Sequence, residues 1–332
     1  MTAETFRALL LEDGPQGPTA MVRDLARSAL PDGEVLVRID YSCLNYKDAL
    51  ALTGRGKIVR SYPIVPGADY AGTVEESASP DFAPGERVVL TGWGVGERHW
   101  GGLARYARAR ADWLIRLPDG LSPWEAMAFG TAGLTAALCV LALEWAGVAP
   151  GGREVAVTGA NGGVGGVAIA LLARAGYPVV ASTGRPEEEP YLRRLGAAGI
   201  IERAELAAPA KRPLESERWA GGIDTVGGDT LAALLRATAY DGAIAACGLA
   251  GGTALDTTVL PFILRGVRLL GVDSVQAPLP RREVAWSRLA RDFPRELLTD
   301  YAHTVPLAAA PAQAAALLAG RVRGRIVVDV NG

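Results

Sequence analysis

The sequence predicts an α/β protein of two parts, a β-rich region followed by a doubly wound parallel sheet. Residues 1–125 carry short strand-like runs broken by Gly and Pro. From Ser122 an Ala/Leu-rich helical stretch begins, and strands then alternate with helices. Residues 155–176, VAVTGANGGVGGVAIALLARAG, read as a strand running through a glycine loop into an apolar helix. At 332 residues the chain is long for one core and suits two domains, and 49% hydrophobic residues are enough to fill both.

In the first region EVLVRIDYS, VPGADYAGTVEE, GERVVLTG and LARYARARADWLIRLP are β-rich pieces between turns. Pro118 to Pro123 marks a boundary. Ser122 and Pro123 supply an N-cap and first-turn pair for SPWEAMAFGTAGLTAALCVLALEWAGV. EVAVTGA is then a strand, 163–175 a helix, YPVVAST a strand, 186–195 a helix and GIIE a short strand. GGIDTVG, a helix at 229–239, GAIAACG and VRLLGVDSV complete a rhythm that predicts parallel strands with helices on both faces. After 276 come a helix near 281–293, an Ala-rich helix near 308–319 and a last strand, GRIVVDV. That strand is too isolated to extend the parallel sheet and is expected to return to the first region. The expected division is 1–125, 126–275 and 276–332, the last being the return segment.

The formal net charge is −2 with both signs interspersed, which leaves no electrostatic footprint for nucleic acid or an anionic membrane. Cys43, Cys139 and Cys247 lie far apart, and an odd count is a poor disulfide framework. MTAETFRALLLEDG, with an acidic flank and a very short apolar run, is unlike a signal peptide. The apolar segment near 164–181 is interrupted by Arg174 and Pro178, which disfavours a membrane span. A soluble cytoplasmic protein is expected.

In the glycine loop, Gly159-Ala160-Asn161-Gly162-Gly163-Val164-Gly165, Gly162 permits a tight turn and close approach of a pyrophosphate. Gly165 lets helix and strand pack closely, and the helix N-terminus offers N–H groups and a positive dipole end. The strand before and the helix after supply the context that a dinucleotide motif needs. NAD sites place Asp or Glu at the end of the next strand to bind the ribose 2′-OH. Here the chain reads Ser182-Thr183-Gly184-Arg185, with no carboxylate before Glu187. Two hydroxyls, a turn N–H and a guanidinium suit a 2′-phosphate instead. Arg203, after the following short strand, can add a second cation or cover the adenine. The expected cofactor is NADP(H).

Five stretches then carry a resemblance: LNYKDALALTGRGKIVRSYPIVPGADYAGTV, LTGWGVGERHWGGLA, GTAGLTAALCVLALE, ACGLAGG and VLPFILRGVRLLGVDSV. Together they resemble the medium-chain dehydrogenase/reductases of the quinone-oxidoreductase type, most narrowly the NADPH-dependent acrylyl-CoA reductase group. The resemblance spans essentially the whole chain and departs at Arg105, where relatives often carry an acidic residue. It implies a GroES-like catalytic domain, a Rossmann NADP-binding domain and a chain return. It also implies that Thr135, Gly248 and Leu249 touch the cofactor, that the loop of residues 45–48 is brought over it, and that Arg325 approaches it.

Zinc-dependent members of the wider superfamily take one ligand from a Cys just before a Thr-Asp and another from the His of a Gly-His-Glu. Alignment on Asp48 puts Asn45, not Cys43, at the first position, and Ala68 of Pro66-Gly67-Ala68-Asp69 at the second. His99 and His303 are the only histidines, so the expectation is no metal. Cys43 reads as buried filler.

Chemistry without a Lewis acid turns to an activated C=C, which a nicotinamide can reduce if the protein stabilises the charge developing on the conjugated carbonyl oxygen. Tyr46 is the leading candidate for hydrogen-bond donor or proton source; its other reading is an aromatic packed on the nicotinamide. Asn45 is read as an orienting group and Asp48 as a structural partner in the same catalytic loop. Trp93 shapes the pocket wall. Lys57 and Arg60, in Arg55-Gly56-Lys57-Ile58-Val59-Arg60, either receive the phosphates of a CoA thioester or belong to a solvated basic loop. The expected reaction, given the resemblance, is acrylyl-CoA to propionyl-CoA. The alternatives are a quinone or small enone/enal reductase, and an NADPH-binding structural or sensing protein with little turnover. A homodimer through edge strands of the Rossmann domain, such as VRLLGVDSV, is implied by the relatives.

Overall fold

The computed structural model describes residues 4–15, 17–209 and 212–332. In chain order the strands are β1 (Thr5–Glu12), β2 (Thr19–Ala26), β3 (Val35–Leu44), β4 (Asp69–Ser77), β5 (Arg87–Thr91), β6 (Tyr106–Ala109) and β7 (Ile115–Arg116). Then follow β8 (Val155–Val157), β9 (Val179–Thr183), β10 (Gly199–Glu202), β11 (Trp219–Asp224), β12 (Thr238–Ala246) and β13 (Arg268–Gly271). The last two are β14 (Ala302–Pro306) and β15 (Arg325–Asp329). Three helices matter most for the site: α1 (Tyr46–Leu52), α2 (Pro123–Trp145) and α3 (Gly163–Arg174).

The chain forms two compact units. One comprises Met1–Thr131, Val275–Glu283 and Leu298–Gly332; the other comprises Ala132–Ser274 and Val284–Leu297. The boundary therefore falls at residue 131 rather than 125, and 284–297 belong with the second unit rather than with the return segment. The reason is packing: Trp286 and Leu289 are buried, and Arg288 forms two 2.9 Å bonds with Glu144 of α2.

The first unit is the GroES-like part. Its sheet runs β14-β15-β3-β4-β5-β7, β6 also pairs with β3, and β1 and β2 form a separate hairpin. Leu9, Val37, Ile39, Leu90, Leu103 and Val328 lie in its buried core. GRIVVDV returns here as expected, as β15 antiparallel to β3 with Val327 opposite Cys43. That register brings Arg325, the first residue of β15, to the end of β3.

The second unit is the Rossmann part. Its six strands lie in the order β10-β9-β8-β11-β12-β13, every pairing parallel, with the chain order reversing beside β8. Helix α3 follows β8 and is buried from Gly165 to Leu172 without a break, the pattern of a helix covered on all sides.

Helix α2 starts as the sequence predicts. The Ser122 hydroxyl accepts the N–H of Glu125 (3.2 Å), and the Glu125 carboxylate accepts the N–H of Ser122 (2.7 Å), a reciprocal capping box. It does not run on unbroken, since Gly130 sits at φ 52°, ψ −153°. Among the described residues α2, rather than 164–181, is by length and composition the apolar stretch long enough to cross a membrane; 89% of its most apolar window is buried.

Candidate active site

Helix α1 begins where β3 ends, and its start is tied down by one buried carboxylate. Asp48 accepts the N–H of Asn45 (2.8 Å) and that of Ala68 (2.9 Å). Burial, reinforced by the nearby charge of Asp69, pushes the Asp48 carboxyl up to about 7. Tyr46, the first residue of α1, is 47% exposed, and its phenol makes no hydrogen bond among the described residues. Lys47 reaches Glu97 at 2.9 Å and so links α1 to the 92–102 loop.

Beneath Tyr46 in sequence lies a closed set of bonds. Asp69, fully buried, accepts from the Asn45 amide (2.8 Å), from the backbone N–H (2.6 Å) and hydroxyl (2.5 Å) of Thr131, and from the Cys43 thiol (3.2 Å). Arg325 donates to the carbonyl of Leu44 and to Asn45 Oδ1, both at 2.9 Å, and to Cys43 Sγ at 2.8 Å, with Asp69 at 4.0 Å. Burial raises the Cys43 thiol well above its ordinary range despite Arg325, so the S–H persists and donates to Asp69. Gly130 leaves room for the set: a Cβ there would lie 2.6 Å from Arg325 Nη2 and 2.7 Å from Asp69 Oδ2 and Cys43 Sγ.

Two sequence readings change here. Cys43 is a bonded member of the cluster rather than filler. The Asn45 amide is engaged by Asp69 and Arg325, in keeping with the orienting group the sequence suggested. Arg325, 5% exposed, turns its guanidinium into the cluster rather than outward. Asp48 is the structural partner the sequence suggested, with both oxygens occupied by N–H donors.

Trp93 has φ 58°, an uncommon conformation for a bulky side chain. The Arg282 guanidinium stacks on its ring at 4.4 Å while donating to the carbonyls of Thr91, Val275 and Ala277. Sequence reasoning missed Arg282, which no local motif marks. Arg55, Lys57 and Arg60 are exposed and form no ion pair among the described residues. The N–H of Arg60 bonds the carbonyl of Glu97 (2.8 Å), which sets this loop beside the 92–102 loop.

In the second unit the tight turn falls at Gly159 (φ 60°), where a Cβ would overlap Thr225 Oγ1. Gly162, at φ −84°, is not the strained position; it is the N-cap of α3, and only the Gly159 carbonyl lies near its Cβ direction, at 3.3 Å. A Cβ on Gly165 would overlap that same carbonyl, which is why helix and strand pack so closely. Gly163 and Val164 open the helix, and Ala160 is buried. Asn161 accepts from the Thr183 hydroxyl, and its buried Nδ2 has no partner among the described residues. Asp224 fastens the loop from behind through the Thr158 hydroxyl (2.7 Å) and the N–H of Gly227 (2.7 Å). Gly248 packs so tightly on Thr225 that a Cβ would overlap its carbonyl, Thr135 donates to Ser274 Oγ (2.7 Å), and Leu249 is exposed.

Ser182 and Thr183 are buried in β9, and the Thr183 hydroxyl is used by Asn161 and by the N–H of Arg185. The groups left at the surface are Gly184, Arg185 and Arg203. Arg203 lies across Gly184, where a Cβ would overlap its guanidinium, beside a hollow of about 180 Å³. Arg185 faces Glu188 at 3.8 Å. Glu202 also lines the hollow, because the β9–β10 register sets it against Thr183; a reading of one strand at a time does not see it. The unpartnered Asn161 amide, the open face of Gly162, the α3 N-terminus and two cations fit a dinucleotide phosphate.

The profile of the alcohol dehydrogenase GroES-like domain matches residues 31–119, and that of the zinc-binding dehydrogenases matches 163–290. The acrylyl-CoA reductase AcuI of Ruegeria pomeroyi is 53% identical over 98% of this chain and 99% of its own length. The chain belongs to the medium-chain dehydrogenase/reductases, in their acrylyl-CoA reductase and quinone-oxidoreductase group. It is an oxidoreductase. A Salmonella enterica yhdH oxidoreductase solved with NADP is 54% identical, superposes with a TM-score of 0.95, and covers 97% of this chain and 99% of its own. Bacillus subtilis YhfP, provisionally named a quinone oxidoreductase, is 44% identical over 98% of this chain and 99% of its own. Its structure was solved with NAD bound and has a TM-score of 0.95.

The second profile's description implies zinc, and the residues here do not fit it. Asn45 is bonded on both sides of its amide, Ala68 has no donor atom, and the Asp69 carboxylate is already filled by four donors with a guanidinium beside it. Among the described residues no three His, Cys, Asp or Glu come together as a ligand set.

Proposed function

We propose that this oxidoreductase uses NADPH to reduce the C=C of a short enoyl-CoA thioester, acrylyl-CoA to propionyl-CoA, without a metal ion. The observation that carries this reading is the Tyr46 phenol, exposed and unpartnered at the start of α1 while the polar groups that follow and precede it are bonded to one another. The name of the Ruegeria relative supports the thioester, and the NADP of the Salmonella relative supports the cofactor.

NADPH, when bound, supplies hydride for the β carbon. Tyr46 donates a hydrogen bond to the thioester oxygen as negative charge builds there, and its O–H is the proton source for the α carbon. The α3 N-terminus, Gly162 and Asn161 hold the pyrophosphate end, while Gly184, Arg185 and Arg203 hold the 2′-phosphate. Trp93 walls the acyl group, and Lys57 and Arg60 receive the CoA phosphates.

The test is NADPH absorbance followed with acrylyl-CoA, crotonyl-CoA and a quinone in parallel, with NADH as control. Oxidation with the thioesters and NADPH is expected; turnover with the quinone alone would refute the thioester reading. A quinone acceptor is the second reading, supported by the name of the Bacillus relative. It requires that Lys57→Ala with Arg60→Ala leave kcat/KM unchanged, whereas the thioester reading expects KM to rise about tenfold, the loss of roughly 1.4 kcal/mol.

We also propose a cytoplasmic homodimer joined at β13. This strand is the edge of the parallel sheet, and Val259, Ile263, Leu264 and Leu269 around it are exposed. Light scattering that reports a monomer at micromolar concentration would exclude the dimer.

A further inference from the structure

Asp69 is the node of the buried cluster. Its carboxylate engages the end of β3 through Cys43 and Asn45 and the kinked start of α2 through both the N–H and the hydroxyl of Thr131; Arg325 of β15 faces it. The Asn45 amide is shared between Asp69 and Arg325, and its backbone N–H is held by Asp48. Tyr46 follows directly as the first helical residue. The direction in which its side chain leaves the protein is therefore set by the bonds on Asn45.

Stability alone does not account for this arrangement. A buried ion pair is weak support for a fold, since well-packed apolar side chains often serve as well or better. Here the helical path of α2 is interrupted at Gly130 where the cluster needs room, and a Cβ at that position would enter the cluster. What a charged network offers is fixed directionality.

We propose that Asp69 is a positioning residue for the reaction: acting through Asn45 and Thr131, it fixes the helix start from which Tyr46 presents its phenol. This rests on the reading of Tyr46 as the donor. Asp69 touches no reacting atom; it limits the orientations that Tyr46 samples.

The test compares Thr131→Val, Asp69→Asn, Tyr46→Phe and the double variant Thr131→Val/Tyr46→Phe. Thr131→Val keeps the backbone N–H and the shape of the side chain, so it reports even if Asp69→Asn does not fold. Thr131→Val is expected to lower kcat with acrylyl-CoA roughly 10-fold, since small misplacements of a reacting group are costly. NADPH affinity, read by fluorescence titration, is expected to stay unchanged. Adding Thr131→Val to Tyr46→Phe is expected to cost little more than Tyr46→Phe alone. If Tyr46→Phe lowers kcat while the cluster variants shift only the melting temperature, Asp69 is merely structural and the proposal falls, with the Tyr46 reading intact. Losses that multiply in the double variant also overturn it. If Tyr46→Phe itself leaves kcat unchanged, the donor reading fails and the proposal fails with it.

Discussion

The two units build their sites by opposite means. In the first, charged and polar side chains from residues 43, 45, 48, 69, 131 and 325 close on one another in the interior. In the second, the site is made by removing atoms: Gly165 and Gly248 let backbone approach backbone, and Gly159 admits the Thr225 hydroxyl, where any Cβ would collide. A low-dielectric network is strong when complete and costly when one member is lost. A glycine turn is indifferent to charge and intolerant of volume. The first site should therefore fail through imbalance and the second through crowding.

The largest expected effect breaks the balance. Arg325→Met leaves the buried Asp69 and Asp48 carboxylates without their counter-charge and is expected to destabilise the protein by about 3–5 kcal/mol in urea unfolding. Arg325→Met combined with Asp69→Asn should recover part of that loss; no recovery would mean that charge is not what the cluster balances. Crowding comes next. Gly165→Ala presses a methyl on the Gly159 carbonyl, and a strain of about 1–3 kcal/mol would weaken NADPH binding roughly 5- to 150-fold by fluorescence titration. Unaltered affinity would contradict the close-approach account. Arg203→Ala should raise KM for NADPH about tenfold with no change for NADH, and an equal effect on both would take the 2′-phosphate away from Arg203.

The smallest effect is in pH. Because the native Asp48 carboxyl is lifted to about 7, above its unfolded value, its contribution to stability is present below about pH 4 and is lost as the pH rises through about 7. The groups that face it are Asp69, Arg325 and the N–H groups of Asn45 and Ala68. The unfolding midpoint of the wild type should fall more steeply from about pH 4 to about 7 than that of Asp48→Asn. Parallel profiles would show that Asp48 does not titrate there.

The same contrast explains what the sequence revealed. The glycine loop, the strand–helix rhythm and the Ser122 cap are local in the chain, so a motif a few residues long announces each of them. The Asp69 cluster draws on residues nearly the whole chain apart, and only the antiparallel register of β15 on β3 brings Arg325 to Asn45. Cys43 therefore read as filler and Arg325 as a cofactor ligand. Gly130 lies in an Ala/Leu-rich run that suits an unbroken helix, and the kink follows from tertiary contacts. Glu202 escaped for a similar reason, since its approach to Thr183 is a property of neighbouring strands.

We propose that this side-chain cluster stands where the wider family implies a metal, and that Tyr46 does its work without one. The most direct test is to dialyse the protein against a strong chelator, measure zinc by elemental analysis, and assay acrylyl-CoA reduction with NADPH. Full activity in protein stripped of zinc is the expected result. Activity lost on chelation and restored by added zinc would contradict the account.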